Sequence, residues 1–227
     1  MKPVFARCLP FAVFMAFIAL KEMLRVLIAH GFIELDATAF FYLYPLKTVI
    51  VGAVLYRYRK EYTELCFADL KKIPTSLAVS FVGILVFGLW ICMTWTLGSS
   101  AAPAGFDPGA LHGEALRVTI TLFRVTGAVL VVPVMEELFW RSFLIRYIID
   151  KDFEKVPMGT FTWGSFLVTA LLFGTEHHYI IAGVMAGVVY NLVIYRTRSL
   201  AQCVLAHSVT NLALAVYVIS TQKWHFW

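Results

Sequence analysis

Long apolar runs separated by short polar punctuation fill the chain, and each is of helical rather than strand length. The first runs from Leu9 to about His30, the second from about Thr38 to Tyr56 and the third from about Ser76 to Leu97. Three more follow towards the C-terminus, about Thr160 to Thr175, about Ile180 to Tyr195 and about Leu200 to Ser220. Between the two sets lies Glu114 to Ile149, helical in pattern but too long for one crossing at about 1.5 Å per residue. Pro133 divides that stretch by removing a backbone N–H, so the pattern predicts a kinked helix or two helices meeting there. About 20 apolar residues cross the roughly 30 Å of hydrocarbon in a bilayer. The expectation is therefore an all-α polytopic membrane helix bundle of seven or eight helices. Residues 1–227 form a single integral membrane domain, with a motif-bearing core at about 114–220.

Composition supports the same class. The chain is 60% hydrophobic and 15% charged, against about 45–50% and 25% in soluble domains. Nineteen Lys and Arg outnumber fourteen Asp and Glu, which in a soluble protein would suggest nucleic acid. Here the basic residues sit at the ends of apolar segments, as in Arg57, Arg59, Lys60, Lys71, Lys72, Arg196 and Arg198. That is the positive-inside pattern of a protein whose partner is the lipid bilayer, not nucleic acid. It puts 57–72 and 196–198 on the cytoplasmic side and the Gly- and Pro-rich loop Gly98–Gly113, which lacks Lys and Arg, on the far side.

Lys2 and Arg7 ahead of Leu9–Leu20 resemble a signal peptide. No small-residue cleavage site follows directly, and Lys21-Glu22-Met23-Leu24-Arg25 continues the helix, so a retained first span is expected. Its charges are expected to turn towards other helices or to pair among themselves. Cys8, Cys66, Cys92 and Cys203 form no CxxC pair and read as buried free thiols. Gly183 and Gly187 form a small-xxx-small pair that lets helices approach closely.

Three clusters interrupt the apolar runs with chemistry. Glu136 and Glu137 sit side by side in an otherwise hydrophobic segment, where each carboxylate costs roughly 2.5–3.5 kcal/mol at bilayer depth. Arg141 lies four residues beyond Glu137, on the same helical face, and can offset it. Glu136 points about 100° away and has no local partner, which leaves it available for chemistry. The second cluster is Phe173-Gly-Thr-Glu-His-His178. The third is His207-Ser-Val-Thr-Asn211, with His207 and Asn211 on one face of one helix. Three polar clusters on three separate helices are most economically explained by one shared, water-accessible site.

Glu136-Glu137-x-x-x-Arg141, Phe173-x-x-x-His177 and His207-x-x-x-Asn211, in that order, resemble the three signature motifs of the CAAX prenyl protease and bacteriocin-processing family of intramembrane proteases. The resemblance covers about Met135 to Ala213 and includes the turn Tyr195–Leu200. It implies an endopeptidase in which Glu136 activates the attacking water and His177 positions that water or shares its proton. His207 and Asn211 would stabilise the oxyanion, and the Glu137–Arg141 pair would brace the helix. Within the second cluster the Phe-x-x-x-His spacing favours His177 over His178, with Glu176 and His178 facing water at a helix end. The substrate implied is a prenylated peptide or another membrane-associated protein. Glu136, His177 and His207 could supply a His₂Glu set for a divalent metal such as zinc. The HExxH helix of soluble zinc proteases is absent and Asn is a poor zinc ligand, so no obligatory cofactor is expected.

Other readings of the same residues are a non-proteolytic immunity or binding protein on the same scaffold and a proton-coupled transporter. The expected location is a prokaryotic plasma membrane, crossed several times. His30, His112 and His225 are expected to be solvated at ends or in loops, while Arg117 and Arg124 either snorkel or line the cavity.

Overall fold

In the computed structural model, seven helices and no strand are found among the described residues, which are 2–36, 38–96 and 105–227. Helix α1 covers Lys2–Ala29, α2 Ala39–Tyr58 and α3 Ile73–Cys92. The long stretch is one helical run made of α4 (Glu114–Thr126), α5 (Val132–Glu137) and α6 (Ile145–Ile149). Helices α7 (Trp163–Thr175), α8 (Ile180–Thr197) and α9 (Leu200–Thr221) complete the chain. Six helices are long and apolar enough to cross a membrane, with α7 too short. The all-α polytopic bundle is as expected. The third span ends at Cys92, short of Leu97. Leu97 and the first part of the Gly98–Gly113 loop, to Ala104, lie outside the described residues.

Polarity is arranged inside out. Leu77, Phe81, Leu122, Leu171 and Val216 are exposed, whereas Arg7, Glu136, Glu137, Arg141, Asn191, Gln202 and His207 are buried. In water, burial of apolar surface would drive the opposite arrangement. Lipid solvates the outer faces instead, and the polar groups find partners within the bundle.

Helix α9 lies along α3 and also meets α5 and α8, while α7 packs on α8 and α1 on α2. The α7–α8 pair is close because of Gly183 and Gly187. A Cβ at Gly183 would come within 2.9 Å of the Gly174 backbone, and one at Gly187 within 3.0 Å of the Ala170 carbonyl. The start of α9 is fixed by the connector before α3. Ser199 donates to Asp69 Oδ2 at 2.7 Å, and the Gln202 amide donates to the Asp69 carbonyl at 2.9 Å.

Pro133 does not break the long run. Its missing N–H and its ring, which crowds the carbonyl four residues back, are absorbed by a π turn over Gly127–Val131, where the Val132 N–H reaches the Gly127 carbonyl. A second π turn covers Leu138–Leu144. The two widened turns flank Glu136 and Glu137.

One expectation is met and one needs correction. Glu22 and Arg25 pair among themselves at 3.0 Å, on an exposed face of α1, because the i,i+3 spacing lets them neutralise one another locally. The four cysteines are free, but only Cys203 is buried. Cys66 lies in an exposed connector and Cys92 at the end of α3.

The buried charge on α1 is Arg7. Its Nε and Nη2 donate to the two carboxylate oxygens of Glu64 at 2.7 Å each, and Ser142 and Arg146 join the same cluster. Burial alone would raise the Glu64 carboxyl, but the hydrogen bonds and charge of Arg7 outweigh it and hold it below the ordinary glutamate value. A depressed folded value means stability that is present above the unfolded value, about 4.3, and is lost as pH falls through the folded one. Thermal melting of the purified protein should therefore weaken below about pH 4. Glu64→Gln should already melt low at neutral pH, by about 3 kcal/mol, with a flatter acid limb. Parallel acid limbs in the two proteins would rule this linkage out.

Candidate active site

Glu136 and Glu137 are consecutive on α5, so they point into different surroundings. Glu137 is fully buried. It pairs with Arg141 at 3.3 Å, accepts from His207 Nδ1 at 2.8 Å and from Cys203 Sγ at 3.2 Å. Arg141 also donates to Asn191 Oδ1 at 3.2 Å and to the Gly187 carbonyl at 3.3 Å, and its guanidinium lies 4.5 Å from the centre of the Phe173 ring. Asn191 in turn donates to Thr169 Oγ1 at 2.9 Å. One chain of polar contacts thus ties α5 to α7, α8 and α9. The Glu137–Arg141 pair read from sequence is present, and its links to His207 and Asn191 are additional.

Glu136 is 6% exposed, and its Oε2 has no hydrogen-bond partner among the described residues. His207 Nε2 stands 3.9 Å from that oxygen, too far for a hydrogen bond. His207 is held by its Nδ1 contact to Glu137 and by stacking on Tyr190, with ring centres 4.7 Å apart and planes at 24°. Its Nε2 is left facing Glu136.

His177 follows α7 in a short turn before α8. Its Nδ1 lies 2.9 Å from the Phe173 carbonyl, which can only accept, so Nδ1 carries the proton and Nε2 of the neutral ring keeps a lone pair. The ring is set edge-on against Trp90 at 5.1 Å. Asn211, one turn beyond His207 on α9, donates from Nδ2 to the Ala128 carbonyl at 2.8 Å, within the first π turn. Its amide retains a second N–H.

Glu136, His177, His207 and Asn211 line one cavity of about 370 Å³. The meeting of three distant clusters around a shared space is therefore observed. Glu176 and His178 line it too, and the Trp140 indole donates to Glu176 Oε2 at 3.2 Å, so Glu176 does not simply face water. His225 also lines the cavity instead of being solvated, because the turn Trp224–Phe226 folds back over it. His30, His112 and Arg117 are exposed, while Arg124 lines the cavity.

Tyr190, Asn191 and Trp140 were not singled out from sequence. Tyr190 and Asn191 reach the site from another helix, and Trp140, although four residues beyond Glu136, acts through a contact to Glu176 that crosses between helices. For Glu136, His177 and His207 as metal ligands the geometry is unfavourable: among the described residues no three His, Cys, Asp or Glu side chains are grouped to hold a metal ion.

Residues 118–213 match the family model for the type II CAAX prenyl endopeptidase Rce1-like family. The matched region contains all seven motif residues, from Glu136 to Asn211. No curated protein and no solved structure matches the chain. The match supports a CAAX-type intramembrane protease in general, in a multi-pass integral membrane protein acting on a membrane-associated substrate.

Proposed function

We propose that this chain, with its Rce1-like domain over 118–213, is an endopeptidase of a prokaryotic plasma membrane that hydrolyses a peptide bond near the end of a membrane-associated, prenyl-type substrate. The observation that carries the reading is the buried Glu136 carboxylate, whose Oε2 has no hydrogen-bond partner among the described residues and which lines the cavity together with His177, His207 and Asn211. A buried base with nothing to satisfy it is suited to hold and deprotonate a water.

In the proposed reaction the substrate carbonyl enters between Glu136 and α9. Glu136 takes a proton from water as the oxygen attacks the carbonyl carbon, with the His177 Nε2 lone pair helping to orient that water. Negative charge moves onto the carbonyl oxygen. The second N–H of Asn211 donates to it, and the His207 ring, held through Nδ1 by Glu137, stands beside it. Donors of this kind are typically worth about 3 kcal/mol each. The C–N bond then breaks, and Glu136 returns its proton to the departing amine. Glu137 and Arg141 do not touch the substrate; Glu137 orients His207.

The test is cleavage by the full chain in lipid vesicles of a farnesylated peptide ending in a CAAX sequence, with the released tripeptide identified by mass. Release by the wild type and its loss in His207→Ala is the expected result. Equal release by both, or an inert wild type, defeats the assignment. No step is routed through a metal, so a chelator is expected to leave the initial rate within about twofold. Loss of activity on chelation with recovery on adding zinc would require a metal-based mechanism.

A further inference from the structure

A second cavity, of about 670 Å³, lies at the opposite end of α8 from His177, bounded by α3, α8 and the start of α9. It shares no lining residue with the catalytic cavity. Short side chains make it. Thr75, Ala78 and Val82 follow one another at three and four residues along α3, and Val189, Val193 and Arg196 at four and three along α8. Each set therefore lies on one helical face. Helix α3 packs along α9 and α8 along α7, so the seam between α3 and α8 is the less closely filled. Leu192 lines the cleft and is also exposed, so the cleft opens on the lipid-facing surface of the bundle.

The cleft is apolar along its length and cationic at one end. Lys72, immediately before α3, and Arg196, in the last turn of α8, both line it and both are exposed. Among the described residues Arg196 has no hydrogen-bond or ion-pair partner. The Asp69 carboxylate nearby is already engaged on both oxygens, by Ser199 at 2.7 Å and by Lys72 at 3.0 Å. From Arg196 to Val189 is about 10 Å of helix, and from Lys72 to Val82 about 15 Å. This end of the bundle carries the basic segments 57–72 and 196–198. The positive-inside pattern assigns them to the cytoplasmic leaflet, where anionic lipids gather.

We propose that the α3–α8 cleft binds one anionic phospholipid, with its phosphate received by Arg196 and Lys72 and one acyl chain laid between the two valine-bearing faces. The proposal is independent of the proteolytic reading. Charge complementarity selects the occupant. A zwitterionic lipid brings its own cation to a mouth that already holds two. A free phosphate ion leaves the apolar length empty, and a prenyl chain is neutral and leaves Arg196 without an anion. A guanidinium can fork onto phosphate oxygens, while an ammonium acts as a point charge. Val189 and Val193 bracket Tyr190 and Asn191, which contact His207 and Arg141. A lipid closing this seam therefore braces the helix that holds those two side chains.

The test is native mass spectrometry of the delipidated full chain in detergent, titrated with phosphatidylglycerol or phosphatidylcholine of identical acyl chains. The first phosphatidylglycerol is expected to bind about tenfold more tightly than the first phosphatidylcholine. Arg196→Gln should bring the two within about twofold, and Arg196→Lys should keep most of the preference. The double variant Arg57→Gln/Arg59→Gln removes two charges outside the cleft and should leave the preference intact. Ala78→Phe fills the cleft and should weaken binding of the first lipid of either kind. Melting identifies the folded variants, and Arg196→Gln breaks no contact, so the charge arm stands even if Ala78→Phe does not fold. Equal affinities in the wild type, or a preference that survives Arg196→Gln, overturn the site. A preference lost equally in the Arg57/Arg59 variant means diffuse attraction and overturns it too. So does displacement of the bound lipid by millimolar glycerol phosphate, which makes the phosphate ion the occupant, or by a farnesylated peptide, which gives the cleft to the substrate.

Discussion

Glu136→Gln lowers turnover by about a thousandfold or more and leaves the bundle as stable as before, or more so. Glutamine keeps the shape of the side chain and removes its basicity. No hydrogen bond is lost at Oε2, since none is made there. What disappears is a buried carboxylate next to a second one, so self-repulsion falls while the base is removed. Steady-state cleavage of the farnesylated peptide should show kcat collapse with KM near the wild-type value. Melting of the same preparation should show no loss. A melting point that falls together with kcat would make Glu136 a structural residue. Persistent turnover would remove it from the mechanism.

The sequence distinguished Glu136 from Glu137 by helical geometry alone, because an i,i+4 partner is visible in one dimension and its absence is equally visible. The same applies to His207 and Asn211. Helix number was legible because the solvent is lipid, and length with apolarity suffices to mark a crossing. What lay beyond reach were contacts between helices. Glu137 meets His207 seventy residues away, and Trp140 meets Glu176 thirty-six residues away. Pro133 marked a disturbance, but whether it produces a kink or a π turn depends on how the neighbouring helices accept the extra residue. The local pairing of Glu22 with Arg25 was legible from their i,i+3 spacing, whereas the exposed face on which they meet was not.

Glu137→Ala and Arg141→Ala are expected to cost about 3–5 kcal/mol each, the cost of stranding a charge whose partner has been removed. Glu137 is the more damaging of the two, because its loss also frees Cys203 and His207. Denaturant titration in detergent should show both single losses. The double variant Glu137→Ala/Arg141→Ala should cost well below their sum, since the two charges disappear together. Additive losses would mean that the pair is not coupled despite its 3.3 Å separation. In any surviving Glu137→Ala protein the peptide cleavage rate should also fall, because the imidazole of His207 loses the contact that sets its orientation. Asn191→Ala, which removes one neutral link to Arg141, should cost about 1–2 kcal/mol.

Helix α7 has 13 residues, so it is about 20 Å long, against hydrocarbon about 30 Å thick. Its far end delivers Glu176 and His177 to the cavity. A mismatch of about 10 Å is met by local thinning of the bilayer at this helix, so acyl-chain length is expected to act on the enzyme. Vesicles of long-chain lipids should hydrolyse peptide more slowly than vesicles of short-chain lipids, through the thinness of the sheet at this one helix.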